Sequence, residues 1–345
     1  MKKKIVTQKD LFTNSLLYRD TEIFVKGEKK IKNEILPHLR KKSKESITES
    51  FPRDKHNKKS LIALGWKFDP KLKHTKTKWK VTKLKSDSAY FEDRVWSLFA
   101  NMGASHLNIN SDTTKLPYGE SKDKKIDVFA IIENVILIVE CKCAQKPNTT
   151  LNGNQIIDQI AEIKKGSEEF LNKLYPGHKV VFGLATKNYT IGNALQSKID
   201  DEDIYLLDEN KLEYYEHLNK SLAKASHYQF FAELFNKKNI CNFNGTKVNA
   251  IQKKNKDGST TYTFFIRAKD LLRIAYIFHT DSYLNKGEKG YQRFVKPARR
   301  KQVENYIKKG GFFPNSLIVS LREEISFDKV EDVDPFTEMG TLTLP

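Results

Sequence analysis

KKIDVFAIIENVILIVECKCA, residues 124–144, holds two apolar runs joined by the polar break Glu133-Asn134. Folded as a hairpin that turns at this break, the stretch pairs Ile132 with Val135 and, outward from there, sets Asp127 directly opposite Glu140. Directly opposed side chains lie roughly 4.5–5.5 Å apart at Cβ, where like charges destabilise the pair. Two facing carboxylates therefore need a compensating partner, and a shared divalent cation supplies one. Strand side chains alternate with period two, so Lys142 projects from the same face as both carboxylates. A hard cation such as Mg²⁺, or Mn²⁺ in its place, binds through one or two carboxylates plus substrate phosphate oxygens. Two acids and a base on one face thus suit metal-assisted phosphodiester chemistry. VILIVE, residues 135–140, reads as a strand buried on both faces. A carboxylate at its end is costly unless paired or metal-bound.

The flanks read as helices. In YFEDRVWSLFANMGA, Phe91, Val95, Leu98, Phe99 and Met102 fall on one helical stripe that Gly103 ends, with Glu92 at its edge one turn before Trp96. In NQIIDQIAEIKKGSEEFLNKLY, Ile156, Ile160, Ile163 and Phe170 recur at helical intervals, and Gln155 and Gln159 sit one turn apart. HKVVFGLATK then reads as a strand, and DIYLLDENKLEYYEHL as a strand followed by a helix. Strands alternating with helices indicate an α/β unit.

This arrangement resembles the PD-(D/E)XK, or restriction endonuclease-like, nuclease superfamily. The resemblance implies an αβββαβ core over residues 87–222. It implies that Asp127 and Glu140 hold the metal with the backbone carbonyl of Cys141, and that Lys142 orients or activates the attacking water. It further implies that Glu92 reaches the metal site and that Gln159, or Gln155, supports the site or touches the DNA backbone. A solvated helix residue is the alternative for Glu92, and a plain polar helix face for the two glutamines. Ile126 stands where the name-giving motif has Pro.

Charge is concentrated at the N-terminus. Residues 1–86 hold 25 Lys and Arg against 9 Asp and Glu, a net +16 of the chain's +18. This basic region, interrupted by Trp66, Phe68 and Trp79, is expected to act as an arm that attracts a nucleic-acid backbone without reading sequence. A solvated charged arm is the alternative. No run of some 18 apolar residues suggests a membrane span, and MKKK is not followed by a signal-peptide core, so a cytoplasmic protein is expected. The three cysteines, Cys141, Cys143 and Cys241, do not suit a disulfide framework, and the first two are expected to pack away from the carboxylates. No phosphate loop, GxSxG elbow or HExxH pair occurs in the chain.

Residues 223–345 read as a second unit. TYTFFIRAKDLLRIAYIFHT suggests a strand feeding a helix with Leu271, Leu272, Ala275 and Phe278 on one side. Arg300, Val303 and Ile307 suggest a short helix stopped at Gly310-Gly311, and SLIVSL, residues 316–321, a strand. Tyr291-Gln292-Arg293, Arg299 or Arg300, and Phe313-Pro314-Asn315-Ser316 are similar to the opening of DGQHR-domain proteins, a family that includes the phosphorothioation regulator DndB and is distantly ParB-like. The resemblance implies a partial α+β unit, whose Asp-Gly-Gln-His-Arg signature would follow GTLTLP, where this sequence stops, so a fragment of a longer protein is expected. The resulting expectation is a metal-dependent DNA endonuclease of a prokaryotic defence or modification-linked system, with further protein partners. The alternative is a DndB-like DNA-binding regulator that does not cut. Cutting both strands would favour a homodimer, since one such site cleaves one phosphodiester at a time.

Overall fold

The computed structural model describes residues 16–17, 37–108, 115–118, 122–235, 246–274, 295–311, 317–319 and 325–344. The chain divides into two compact units, Met1–Glu216 and His217–Pro345. In order, the first contains β1 (Leu16–Leu17), β2 (Ser46–Pro52), α1 (Lys58–Ala63), β3 (Lys78–Leu84), α2 (Asp87–Asn101), β4 (His106–Leu107), β5 (Lys115–Tyr118) and β6 (Lys122–Lys125). There follow β7 (Val128–Ile132), β8 (Val135–Cys143), β9 (Thr149–Thr150), α3 (Asn154–Leu174), β10 (Lys179–Lys187), β11 (Tyr189–Thr190), α4 (Asn193–Asp201) and β12 (Tyr205–Leu207). The division falls inside α5 (Glu209–Leu222).

A six-stranded sheet in the order β1-β4-β7-β8-β10-β12 makes the first unit mixed α/β. Its first four strands are antiparallel neighbours, whereas β10 runs parallel to β8 and β12 parallel to β10. Parallel neighbours need a crossover connection, which α3 supplies between β8 and β10 and α4 between β10 and β12. The hairpin register is the expected one, Val128↔Val139 through Ile132↔Val135. Glu133 takes a φ of 50°, the left-handed conformation that a two-residue hairpin loop asks of its centre.

Alternation along the hairpin sends Phe129, Ile131, Ile136 and Ile138 into a core with Phe182 and Leu184 of β10, Ile157, Ile160, Ile163 and Leu171 of α3, and Leu195 and Ile199 of α4. Val135 to Val139 are all at most 3% exposed, as a strand covered on both faces requires. The buried stripe of α3 is Ile157, Ile160, Ile163, Ser167 and Leu171, so the expected Ile160 and Ile163 lie at its centre while Ile156 and Phe170 flank it, half-buried against the same core. Ser167 occupies a core position as a polar residue, its hydroxyl donating to the Ile163 carbonyl, and so interrupts the apolar period. In α2 the expected stripe is buried, Ser86 caps the start by accepting from Ala89 N, and Gly103 at φ 89° follows the end.

The N-terminal basic region is not an unstructured arm over the residues described. β2 and β3 pair antiparallel from Ser46↔Leu84 to Pro52↔Lys78, and α1 packs on them around Leu61, Trp66 and Val81. The three aromatics that punctuate the lysines are packed with this small core, because KWKVTKL alternates with strand period.

The second unit holds a 3-10 turn (Ala223–Ala225), α6 (Ser226–Phe235), β13 (Thr246–Lys254), β14 (Thr260–Phe264), α7 (Ala268–Ile274), α8 (Pro297–Lys308), β15 (Ser326–Asp334) and β16 (Thr337–Leu344). Its antiparallel sheet has the order β14-β13-β16-β15. The expected strand into helix is β14 into α7, and the expected short helix is α8, followed by Gly310 at φ 84°. Leu317, Ile318 and Val319 form no strand and are 77%, 100% and 42% exposed, against the strand expected at 316–321. Apolar β-propensity needs a packing surface to become a strand, and these side chains have little. Ala275, Phe278, Tyr291-Gln292-Arg293 and Phe313-Pro314-Asn315-Ser316 lie outside the described residues.

Candidate active site

Asp127 lies in a bend just before β7, and the β7–β8 ladder stops at Val128↔Val139. Ile126 and Phe129 both enter the core beneath α3, so strict alternation breaks at Asp127. Its carboxylate replaces the missing ladder carbonyl, Oδ2 accepting from Cys141 N at 2.9 Å. Asp127 is thus set beside Glu140 by position, but it faces the Cys141 backbone rather than standing square across from Glu140. In an extended strand a residue's N–H and C=O point to the same edge. The Cys141 carbonyl therefore also faces Asp127.

Lys142 Nζ donates to Glu140 Oε1 at 2.7 Å, with 31% of the Lys142 side chain and 11% of the Glu140 side chain exposed. Burial pulls the Lys142 ammonium down, but the Glu140 charge and hydrogen bond outweigh it, and the net shift is upward. Lys142 thus donates to Glu140 and balances its charge. Cys141 is 5% exposed, and burial raises its thiol far above its ordinary range. As a side chain it is packing.

Glu92 belongs to the same electrostatic cluster. Burial first, and then Asp127, Asp93 and Glu140, push its carboxyl up to about 7, with Lys42 opposing. Burial and then Glu140 likewise raise Asp127, against the Cys141 hydrogen bond and the charges of Lys142 and Lys124. Mutual repulsion among carboxylates around a backbone carbonyl is the condition that a hard cation relieves, so the donor set of Asp127, Glu140 and the Cys141 carbonyl fits Mg²⁺ or Mn²⁺. Among the described residues no three His, Cys, Asp or Glu side chains cluster closely enough to hold an ion between them.

Gln159 on α3 accepts from Lys124 Nζ at 3.3 Å, and Lys124 is one of the charges acting on Asp127. Gln159 therefore touches the site through Lys124. Gln155 is exposed, with no such link shown.

Sequence reasoning missed Asn108. This fully buried residue continues β4 by donating N–H to the Phe129 carbonyl at 3.2 Å. Its side-chain Oδ1 accepts from Phe129 N at 2.9 Å, while Nδ2 donates to the carbonyls of Asp127 at 3.0 Å and Ile126 at 3.3 Å. Trp96 Nε1, one turn beyond Glu92 on α2, donates to the Asn108 carbonyl. The Asn108 side chain thus fixes the bend that carries Asp127, and its main-chain carbonyl ties that bend to Trp96 of the helix that carries Glu92. A single buried Asn in NINSD reads as an ordinary loop residue, and no period marks it.

No family model and no curated protein matches this chain. Among solved structures it is similar to protein VC1899 from Vibrio cholerae, at 14% identity and a TM-score of 0.27, over 55% of this chain and 52% of that one.

The raised Glu92 gives a pH prediction. Its folded pKa of about 7 lies above the ordinary carboxylate value of 4.5, so the folded state keeps a proton that the unfolded chain has released. The stability this lends is fully present at low pH and is lost as pH rises through about 7. The roughly 3 kcal/mol that such a shift carries is cut to about 2 kcal/mol by solvent screening of a group only partly buried. Thermal unfolding in EDTA is expected to show this decline, and Glu92→Gln to flatten it. An unchanged slope in Glu92→Gln would remove Glu92 from the cluster.

Proposed function

We propose that this chain is a divalent-metal-dependent DNA endonuclease that hydrolyses phosphodiester bonds, in prokaryotic defence or modification-linked restriction within the cytoplasm. The observation that carries this reading is the meeting of Asp127, Glu140 and a charged Lys142 at the open end of the central hairpin. The chain order α2, β4, β7, β8, α3, β10 supports a restriction-endonuclease-like αβββαβ core. So does a sheet in which β4, β7 and β8 are antiparallel neighbours and β10 joins β8 in parallel.

A divalent ion held by Asp127, Glu140 and the Cys141 carbonyl would supply Lewis-acid activation of phosphate and water. The chain's own residues do the rest. Lys142 places a fixed positive charge where negative charge develops on the phosphate, the kind of preorganised stabilisation that contributes most to rate. Glu92, with a pKa near 7, can take up or release a proton at working pH. Asn108 holds the bend on which Asp127 depends.

The test is cleavage of plasmid DNA, unmodified and modified, with Mg²⁺, Mn²⁺ or EDTA. Nicking that needs the ion is expected, and equal nicking in EDTA would overturn the reading. A second reading, a DNA-binding regulator on the same scaffold, is favoured by the Glu140–Lys142 pair, which already balances one carboxylate without an ion. Salt-sensitive binding with no cleavage under any ion would select it.

A further inference from the structure

We infer that the small β2–α1–β3 module of residues 46–84 is a docking surface for the phosphate backbone of duplex nucleic acid, and that it binds without stacking on bases. This deepens the endonuclease reading, on which it rests only for the identity of the polyanion.

The module has two unlike faces. Along β3, Trp79 and Val81 point inward to the core with Phe51 and Ile47 of β2. The outward row is Lys78, Lys80 and Thr82, lying against Pro52, Ser50 and Thr48. That face carries ammonium and hydroxyl groups, the side chains that most often hold phosphate oxygens. Its strand register places no acid there, because Glu49 pairs with Val81 and so shares the inward parity. The preceding loop adds exposed Lys71, Lys73 and Lys76, and residues 67–85 together hold eight lysines against one acid, Asp69. Asp69 is engaged with the backbone, its Oδ1 accepting from Lys71 N at 2.9 Å.

Charge in this region divides into used and unused. Lys85 and Lys42 both pair with Asp93 of α2, at 2.8 and 2.6 Å, and Lys83 Nζ donates to the Leu64 carbonyl at 2.8 Å. These three fasten the module together and to α2. Among the described residues, no ion pair is seen for Lys71, Lys73, Lys76, Lys78 or Lys80. Five exposed cations that the fold does not use, on a folded support, suit a polyanion.

The aromatics decide which polyanion. Single-strand binders stack bases on open rings, but here the rings are taken. Arg53 lies 3.7 Å over the Trp79 ring, Lys58 lies 5.2 Å from Trp79 and 5.4 Å from Phe68, and Lys83 lies 6.0 Å from Trp66. Arg53 is itself positioned by its N–H bond to the Thr77 carbonyl at 2.9 Å. The module thus offers cations and hydroxyls to phosphates, while cations already sit against the rings of Trp66, Phe68 and Trp79 that a base would need. Duplex, with the higher charge density, is the fitting partner.

The experiment is fluorescence anisotropy of the full chain with labelled duplex and single-stranded DNA of equal length, in EDTA over a range of salt. The wild type is compared with a variant carrying Lys73→Gln, Lys76→Gln, Lys78→Gln and Lys80→Gln, and separately with Thr82→Glu. The wild type should bind duplex at least as tightly as single strand. The fourfold variant should lose roughly 2–4 from the slope of log affinity against log salt. Thr82→Glu removes no lysine and should weaken binding by itself, which keeps the test sound if the fourfold variant misfolds. An unchanged slope and affinity in both variants would overturn the assignment, as would a single-strand preference of about tenfold. Equal loss of binding to phosphatidylserine vesicles that compete with DNA would also overturn it, in favour of an acidic membrane surface. Because the measurement is made without a divalent ion, a protein that never cuts DNA still tests this surface, so the two readings fail separately.

Discussion

Lys142→Ala and Glu140→Ala are each expected to lower DNA cleavage by about 10²–10³-fold or more, with DNA affinity nearly unchanged. The two side chains form one unit, joined at 2.7 Å and largely withdrawn from solvent. Removing Lys142 takes away the charge that would meet the developing negative charge on the phosphate. It also leaves Glu140 uncompensated near Asp127 and Glu92, whose carboxyls are already raised by burial first and then by neighbouring acids. Removing Glu140 takes away a proposed metal ligand and frees Lys142. Losses from residues that act as a unit do not add. The double variant Glu140→Gln with Lys142→Met should therefore be little slower than either single variant, and more stable than Lys142→Ala, because no unpaired charge remains. Single-turnover cleavage with saturating DNA checks the rates and thermal unfolding checks the stability. Full turnover in both single variants would refute the assignment, and additive losses would refute the coupling.

The parts of the fold that could be read in advance are those with a strong period. The β7–β8 register follows from two apolar runs and a two-residue break, since any slip would turn Phe129, Ile131, Ile136 and Ile138 out of the core. The stripe of α2 was equally plain. Trouble began where polar residues occupy buried positions. Ser167 interrupts the apolar period of α3, which left Ile157 and Leu171 unread beside Ile160 and Ile163, and Asn108 left no trace, although it organises the bend at Asp127. In residues 46–84 the count of lysines hid an alternation in KWKVTKL that a strand reading could have used. The candidate site was legible to the extent that alternation holds. It named Asp127, Glu140 and Lys142, but it could not foresee that the bend turns the Asp127 carboxylate onto the Cys141 N–H. Lys124, placed by β6 beside Gln159, looked like one more charge in a charged run.

Asn108→Leu is expected to be the most damaging single substitution outside the reactive groups themselves. Leucine keeps the branched outline of the side chain, though it is bulkier, and makes none of the hydrogen bonds to Phe129, Asp127 and Ile126. The Phe129 N–H and the Ile126 and Asp127 carbonyls would lose this partner at a position where Asn108, Phe129 and Ile126 are buried. An abandoned buried polar group costs about 1–3 kcal/mol, so a loss of about 3–5 kcal/mol is expected, much of the stability of an ordinary domain. Asn108→Asp tests the polarity of the arrangement. Its carboxylate could still accept from the Phe129 N–H, but it would present negative oxygen to two carbonyls. Its stability should therefore rise as pH falls and the carboxyl gains a proton to donate. Both variants should also weaken Mn²⁺ binding measured by calorimetry well below the melting transition, because Asp127 depends on this bend for its position. If Asn108→Leu unfolds within about 0.5 kcal/mol of the wild type, water has replaced the amide and Asn108 does not organise the site. If stability falls as expected but Mn²⁺ affinity holds, Asn108 supports the fold and Asp127 finds its place without it.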